Sequence, residues 1–327
     1  MYRERKPILI FFDQHPEVCW AFLAGVVSRN AGWNMTDLKT ETFQNLLSKQ
    51  EVKSLYLTYE SANWYIFQDA YPQLLIYQLS LEQNRPMFFL LKYFHVSTFM
   101  EEEWYHFYRW KNKERLLYAQ IINEQNLIQH PIIEQDPYDK KVFKRLPIHL
   151  QEILHMHAVL LPTLKGDLYG GFVPRFKNVT KRIDFGKRIA TILFDTTLHQ
   201  AFKQFSDQVR VTGSRAEYEN KLPNINSDSP TLEQAFSMTN HHLSARRTDW
   251  KDQQKVKKKW FAQPKSKPIE PIGHTFYQKR KWLASLTETM ERTKSVFVEK
   301  KWMIGTFVAF LLVLSEVKDF HRVTENV

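Results

Sequence analysis

The sequence predicts an all-α fold, a multi-helix globular domain followed by a basic helical C-terminal appendage, on three observations. Glycine is scarce, with nine in 327 residues, under half the usual share of about 7%. Tight hairpins and phosphate-binding loops depend on glycine for positive φ. An apolar fraction of 43%, with 24 Phe and 9 Trp, is enough for a packed core and excludes wholesale disorder. Apolar residues also recur at helical spacing over much of the first 205 positions, with Pro131, Pro137, Pro147, Pro162 and Pro174 falling between elements.

Residues 16–29 read as the first helix. Pro16 takes its first position, and Val18, Phe22, Val26 and Arg29 step by 4, 4 and 3 along one stripe. Asn30–Asn34, containing Gly32, is expected to turn the chain, after which Thr36 or Asp37 caps a second helix to about Ser48. A third, from Glu51 to Asp69, places Tyr56, Glu60, Asn63, Trp64 and Phe67 on one face, and Pro72 is expected to kink or restart it. Further helices fit 97–111, 114–129, 148–160 and 181–205, and Phe88–Phe94 is the one stretch that reads as a strand. Residues 220–230 are polar and aperiodic and hold two prolines, so a boundary is drawn there: a helical domain 1–220, a linker 221–230 and a basic helical region 231–327. A second break, Gln263–Pro271, holds three prolines.

The charge is unevenly placed. Of the formal net charge of +11, residues 241–301 carry 16 Lys and Arg against 6 Asp and Glu. The apolar run Trp302–Leu314 follows directly and is free of charge until Glu316. Basic residues beside such a run are the expected cytoplasmic flank at a membrane, and Lys257, Lys258, Lys259, Lys279, Arg280, Lys281 and Trp302 are the candidate contacts with an anionic surface. At 1.5 Å per residue the run covers only about 20 Å, against about 30 Å of hydrocarbon. The same basic stretch, with Trp250, Trp260 and Trp282 interleaved, fits nucleic acid less well, because no reader motif accompanies it.

Several mechanisms are excluded outright. The nine glycines cannot be arranged into a dinucleotide fingerprint, a P-loop or a serine-hydrolase elbow. Cys19 is the single cysteine, so no intramolecular disulfide or cysteine-based zinc site is available, and a reducing compartment is expected. The first apolar run, Ile8–Phe12, is too short for a signal-peptide core.

Long stretches carry a family resemblance: Trp20–Leu23, Ser28–Leu38, Ala62–Leu75, Tyr93–Ser97, Ile121–Asn126 and Thr212–Tyr218. Over roughly residues 15–220 the chain resembles the YppC-like proteins of Bacillus-type Firmicutes, a domain-of-unknown-function family. The resemblance implies an uncharacterised bacterial protein and brings no reaction or catalytic residue with it.

Three constellations remain. Arg29, Glu60 and Glu124 each sit on an apolar stripe, so an inward polar network of Arg29, Asn30, Glu60, Asn63, Asp69, His95 and Glu124 is expected, with Arg29 paired to Glu60 or Glu124. His95, following Phe94, is expected to be a packed core histidine. Glu103-x-x-His106 and Glu152-x-x-His155, with Glu60 and Glu124, give the chain order of a di-iron bundle. Glu103 nevertheless ends the run Glu101–Glu103, which reads as a solvated face, so no metal and no cofactor are expected. Ser214 with Glu217 three residues on reads as a capping box. The favoured reading is a cytoplasmic structural or interaction protein with an unidentified protein partner, with membrane association through the C-terminal region left open. An enzyme or metal-binding protein using the inward polar residues is the alternative.

Overall fold

A computed structural model describes residues 2–134, 158–173, 175–222, 227, 229–236, 250 and 256–294. The chain divides into two compact units, residues 1–275 and 276–327. The first begins with α1 (Tyr2–Gln14), α2 (Cys19–Asp37), α3 (Glu41–Leu46), α4 (Lys49–Glu82), a 3-10 helix at Phe88–Phe94, α5 (Thr98–Trp110) and α6 (Lys113–Leu127). Strands β1 (Ala158–Pro162) and β2 (Leu168–Phe172) pair antiparallel with Leu160 opposite Gly170. Then come α7 (Val179–Leu193), α8 (His199–Gln208), the short α9 (Ala216–Glu219) and α10 (Leu232–Ala235), and a second 3-10 turn at Lys258–Phe261. The last helix, α11 (Gly273–Lys294), starts in the first unit and continues into the second.

The all-α expectation holds in the main, and α2 is the reason the fold closes. Nearly all of it is buried, from Trp20, Phe22, Leu23 and Val26 through Trp33 and Met35, with Val27 exposed, and its polar residues Arg29, Asn30, Asn34, Thr36 and Asp37 are enclosed with the apolar ones, so it runs through the core. It packs against α1, α4, α6, α10 and β1. Gly25 lets α1 close in, because a Cβ there would stand 2.7 Å from Leu9 Cδ2. The core continues through Phe88, Phe99, Trp104 and Phe107 to Ile121, Ile122 and Leu193.

Several expected elements differ. Asn30–Asn34 forms no turn, because Asn30 and Asn34 spend their amides on β1 and α2 runs on to Asp37. Thr36 and Asp37 therefore lie inside α2, and the next helix starts after Thr40. Ser48 is the cap of α4, in a reciprocal capping box with Glu51. That helix continues through Pro72, held on both sides by buried Phe67, Ala70, Leu74, Ile76 and Tyr77. Phe88–Phe94 is a 3-10 helix, with Phe88 and Leu91 turned inward three residues apart. The 181–205 helix is two helices, interrupted where Asp195 accepts hydrogen bonds from the amide and hydroxyl of Thr197. Of the helix expected at 148–160, Ala158–Leu160 belong to β1 and the rest lies outside the described residues, as does Trp302–Leu314.

Candidate functional site

Two of the distinctive stretches meet. The C-terminal half of α2 carries Arg29, Trp33, Asn34, Thr36 and Asp37, and Thr212–Tyr218 returns to it across nearly two hundred residues of chain. The approach is close enough that a Cβ on Gly32 would stand 3.3 Å from Gly213 Cα. Arg29 Nε donates to Glu217 Oε2 at 2.5 Å, and Trp33 Nε1 donates to the same oxygen at 3.0 Å. The other oxygen of Glu217 accepts the backbone N–H groups of Thr212 at 2.5 Å and Gly213 at 2.6 Å. Arg215 Nε reaches Asp37 Oδ2 at 2.7 Å, while its two terminal nitrogens donate to Tyr218 Oη at 2.7 Å and Asn34 Oδ1 at 2.9 Å. Burial opposes the charge of Arg215, but Asp37 beside it, with Tyr218 and Glu219, raises its pKa well above the ordinary value. Asn30 completes this wall by holding β1 edge-on, accepting from Leu160 N at 2.7 Å and donating to Leu160 O at 2.9 Å.

Arg29 is thus buried and paired, with Glu217 rather than Glu60 or Glu124 as its acid. Glu217 and Arg215 lay in plain view in the Thr212–Tyr218 stretch, but no local spacing could join them to α2. Ser214 makes half of the expected capping box: its hydroxyl oxygen accepts from Ala216 N at 3.1 Å and its proton goes to Ser229 O at 2.6 Å, while Glu217 serves the amides of Thr212 and Gly213 rather than that of Ser214.

A second buried network ties α4 to α6. Asp69 Oδ2 accepts from Gln73 Nε2 and Asn123 Nδ2, both at 2.7 Å. Gln73 Oε1 accepts from Trp104 Nε1 at 2.9 Å, and Asn123 Oδ1 accepts from Trp250 Nε1 at 2.8 Å. Glu103, expected on a solvated face, is buried and makes a two-pronged pair with Arg115, whose Nε and one terminal nitrogen each lie 2.7 Å from a carboxylate oxygen. Glu60 is half-buried, as is Asn63, whose amide donates to Tyr59 O within its own helix. His95 is exposed in a left-handed conformation at the end of the 3-10 helix, so it is no core histidine.

Glu124 stands apart. Trp20 Nε1 donates to it at 2.9 Å and Gln125 Nε2 at 3.0 Å. Burial pushes its carboxyl up to about 7, with those two hydrogen bonds pulling the other way. His106 is half-buried on α5, Glu152 and His155 lie outside the described residues, and among the described residues no three His, Cys, Asp or Glu side chains converge as metal ligands would.

The basic stretch behaves differently from both networks. Residues 256–272 run as a mainly irregular strap whose Val256, Trp260, Phe261 and Ile269 pack on the core. Trp260 is buried and donates through Nε1 to Thr180 Oγ1 at 3.1 Å, and Phe261 packs against Phe99 with ring centres 6.2 Å apart. Lys187, a buried cation on the apolar stripe of α7, donates to the carbonyls of Trp260 at 3.1 Å and Ala262 at 2.8 Å. Farther along, Tyr118 Oη donates to Gln263 Oε1 at 3.0 Å, and Ile272 N donates to Leu168 O of β2 at 2.7 Å. Lys257, Lys258, Lys259, Lys265 and Lys267 are all exposed, and no ion pair among the described residues engages them. In the second unit Lys281 is exposed, Arg280 is half-buried with its guanidinium 5.7 Å from the Phe276 ring, the side chain of Lys279 is outside the described set and so is Trp302. Among the described residues no helix is long and apolar enough to cross a membrane.

Lys187 carries the signal that marked Arg29, a cation on an apolar stripe between Ile183 and Ala190, and sequence reading passed over it. Chemically, the enclosed carboxylates Asp37, Asp69, Glu103 and Glu217 are each occupied by an arginine or by amide donors, which is the arrangement of a structural lock. The strap holds the opposite, a row of exposed cations with no ion pair among the described residues, Lys257 lying 5.5 Å from the centre of the Trp260 ring.

A family model described as a protein of unknown function (DUF2515) matches residues 9–284. The Uncharacterized protein YppC of Bacillus subtilis (strain 168) is 43% identical over 271 residues, covering 83% of this chain and 84% of the relative. No solved structure matches. The matched region extends well beyond residue 220, through the strap.

Proposed function

The chain belongs to the DUF2515 family of proteins of unknown function, and from its geometry we propose that it is an interaction protein that binds an anionic membrane surface through the basic strap, in the cytoplasm. The observation that supports this reading is the division of labour along the strap. Trp260 within it and Trp250 just before it are buried as anchors, while the five lysines of residues 256–272 stand in solvent against the one acid of that span, Glu270. A strap pinned through Lys187 and Trp260 presents its charge without first ordering itself, which reduces the entropic cost of binding. The burial of Trp250 and Trp260 counts against single-stranded nucleic acid, because stacking platforms need exposed rings.

The test is co-sedimentation of the full chain with phosphatidylglycerol-containing vesicles, with pure phosphatidylcholine vesicles and, separately, with duplex and single-stranded DNA. Binding to the anionic vesicles at low salt and weakening as salt rises is expected, since each lysine near such a surface contributes about 1 kcal/mol and is screened by salt. Equal binding to both vesicle types, or binding to nucleic acid without binding to anionic vesicles, would overturn the proposal.

A further inference from the structure

We infer that the aromatic surface made by the Phe88–Phe94 helix and the outer side of α5 is a second contact with the same membrane, one that inserts rings into the lipid interface; this rests on the membrane reading above. Nine large hydrophobic side chains are exposed among the described residues, and five of them, Phe89, Tyr93, Phe94, Tyr105 and Trp110, come from residues 88–110. Tyr93 is 68% exposed and Trp110 66%. Isolated exposed apolar residues need no explanation, but a concentration of rings in one short stretch marks a surface that meets something.

Phe88 joins the 3-10 helix to the Tyr105 and Tyr108 side of α5, and Trp110 stands exposed at the C-terminal end of α5. The buried ring of Phe88 lies 5.3 Å from Tyr105 and 6.0 Å from Tyr108, with Trp104 stacked beneath at 5.8 Å. Trp104 is fixed in turn by its hydrogen bond to Gln73, so the exposed rings stand on a wall backed by the Asp69–Asn123 network. They are held outward by a well-packed support.

Cations accompany the rings. Lys92 Nζ lies 5.1 Å from the centre of Tyr93, the Arg109 guanidinium 5.5 Å from Trp110, and Lys111 Nζ 4.7 Å from Tyr108. With Arg85, residues 85–111 carry four exposed cations against exposed Glu102 and half-buried Glu101, the third acid, Glu103, being buried and held by Arg115. Large aromatic rings interleaved with lysine and arginine are the composition of the membrane–water interface, where the ring enters the headgroup layer and the cation meets phosphate. The charge balance is complementary to an anionic lipid surface. It is too weakly positive to hold the protein there alone, which makes this surface a partner to the strap rather than a substitute for it.

The test uses the full chain and anionic vesicles whose acyl chains carry bromine, a short-range quencher of tryptophan emission. Vesicles should quench part of the emission of the parent, and Trp110→Phe should remove that part while leaving vesicle binding at low salt intact. A variant combining Phe89→Ser, Tyr93→Ser, Phe94→Ser and Trp110→Ser should lose about tenfold or more of the binding that persists at high salt, where the strap is screened. Its circular dichroism should match the parent, since none of the four side chains is buried. Binding with no quenching assignable to Trp110, or unchanged high-salt binding by the fourfold variant, would overturn this inference and leave the strap reading standing. Absence of any binding to anionic vesicles would overturn the strap reading and this one with it. Self-association of the parent without vesicles, abolished by the fourfold variant, would assign the surface to a second copy of the chain and also overturn the inference.

Discussion

The lock between α2 and Thr212–Tyr218 and the strap at 256–272 are built from similar residues and treat charge in opposite ways. In the lock, Arg29 and Arg215 are enclosed and each faces a carboxylate, while Trp33 and Tyr218 lend their polar tips to the same groups. In the strap, Trp260 is enclosed and every lysine is outside. The difference teaches where to look for function in a chain like this one. Buried charge that faces an opposite charge fixes register and shape, whereas exposed charge held on a rigid backbone is available to a partner.

The largest effect that would test this contrast is expected in the lock. Arg215→Ala leaves Asp37 buried without its partner, and a loss of about 3–5 kcal/mol in urea unfolding is expected, as for other broken buried pairs. A cost below about 1 kcal/mol would mean that the lock is solvated and that the contrast with the strap is false. Next comes the anchor of the strap. Trp260→Ala should cost about 3 kcal/mol and, unlike Arg215→Ala, should raise amide exchange chiefly in residues 256–272. Uniform exchange throughout the first unit would show that the strap is no separable element.

A third, smaller effect concerns Glu124, a half-buried acid that accepts hydrogen bonds from Trp20 and Gln125. Its carboxyl is raised from an ordinary 4.5 to about 7, so the folded chain holds this proton more tightly than the unfolded chain. The resulting stabilisation is fully present below about pH 4.5 and is lost as pH rises through about 7. Glu124→Gln keeps a neutral, hydrogen-bonding side chain, and relative to the parent it should gain on the order of 1–3 kcal/mol between pH 4 and pH 8. Parallel stability–pH curves for parent and variant would contradict this. Smallest of all, single substitutions such as Lys258→Ser should change stability by no more than about 0.5 kcal/mol, because the side chain is exposed and makes no ion pair among the described residues.

How much of this was legible depends on the range over which each signal acts. Helices such as α5 and α6 were readable because their apolar periodicity is local and long. The β1–β2 hairpin was missed because scarcity of glycine was judged over the whole chain, whereas Gly166, Gly170 and Gly171 fall within six positions. Gly170, at φ +123° and with Val159 O where a Cβ would be, is the one the hairpin cannot replace. Phe88–Phe94 misled as a short apolar run, for which strand and helix look alike. In the polar networks, stripe position marked Arg29 correctly as inward, but partner identity is a long-range fact: Glu217 is 188 residues away. The basic excess of 241–301 was plain in composition, yet nothing in the order of residues told that Trp250 and Trp260 turn inward while the neighbouring lysines turn out.

The most direct measurement is therefore anionic-vesicle partitioning of the full chain against a variant with Lys257, Lys258, Lys259, Lys265 and Lys267 all changed to serine, compared at low salt after both have been shown to unfold at the same urea concentration. At about 1 kcal/mol for each lysine, partitioning should fall by at least about a hundredfold with stability unchanged. Equal partitioning of the two proteins would contradict the account.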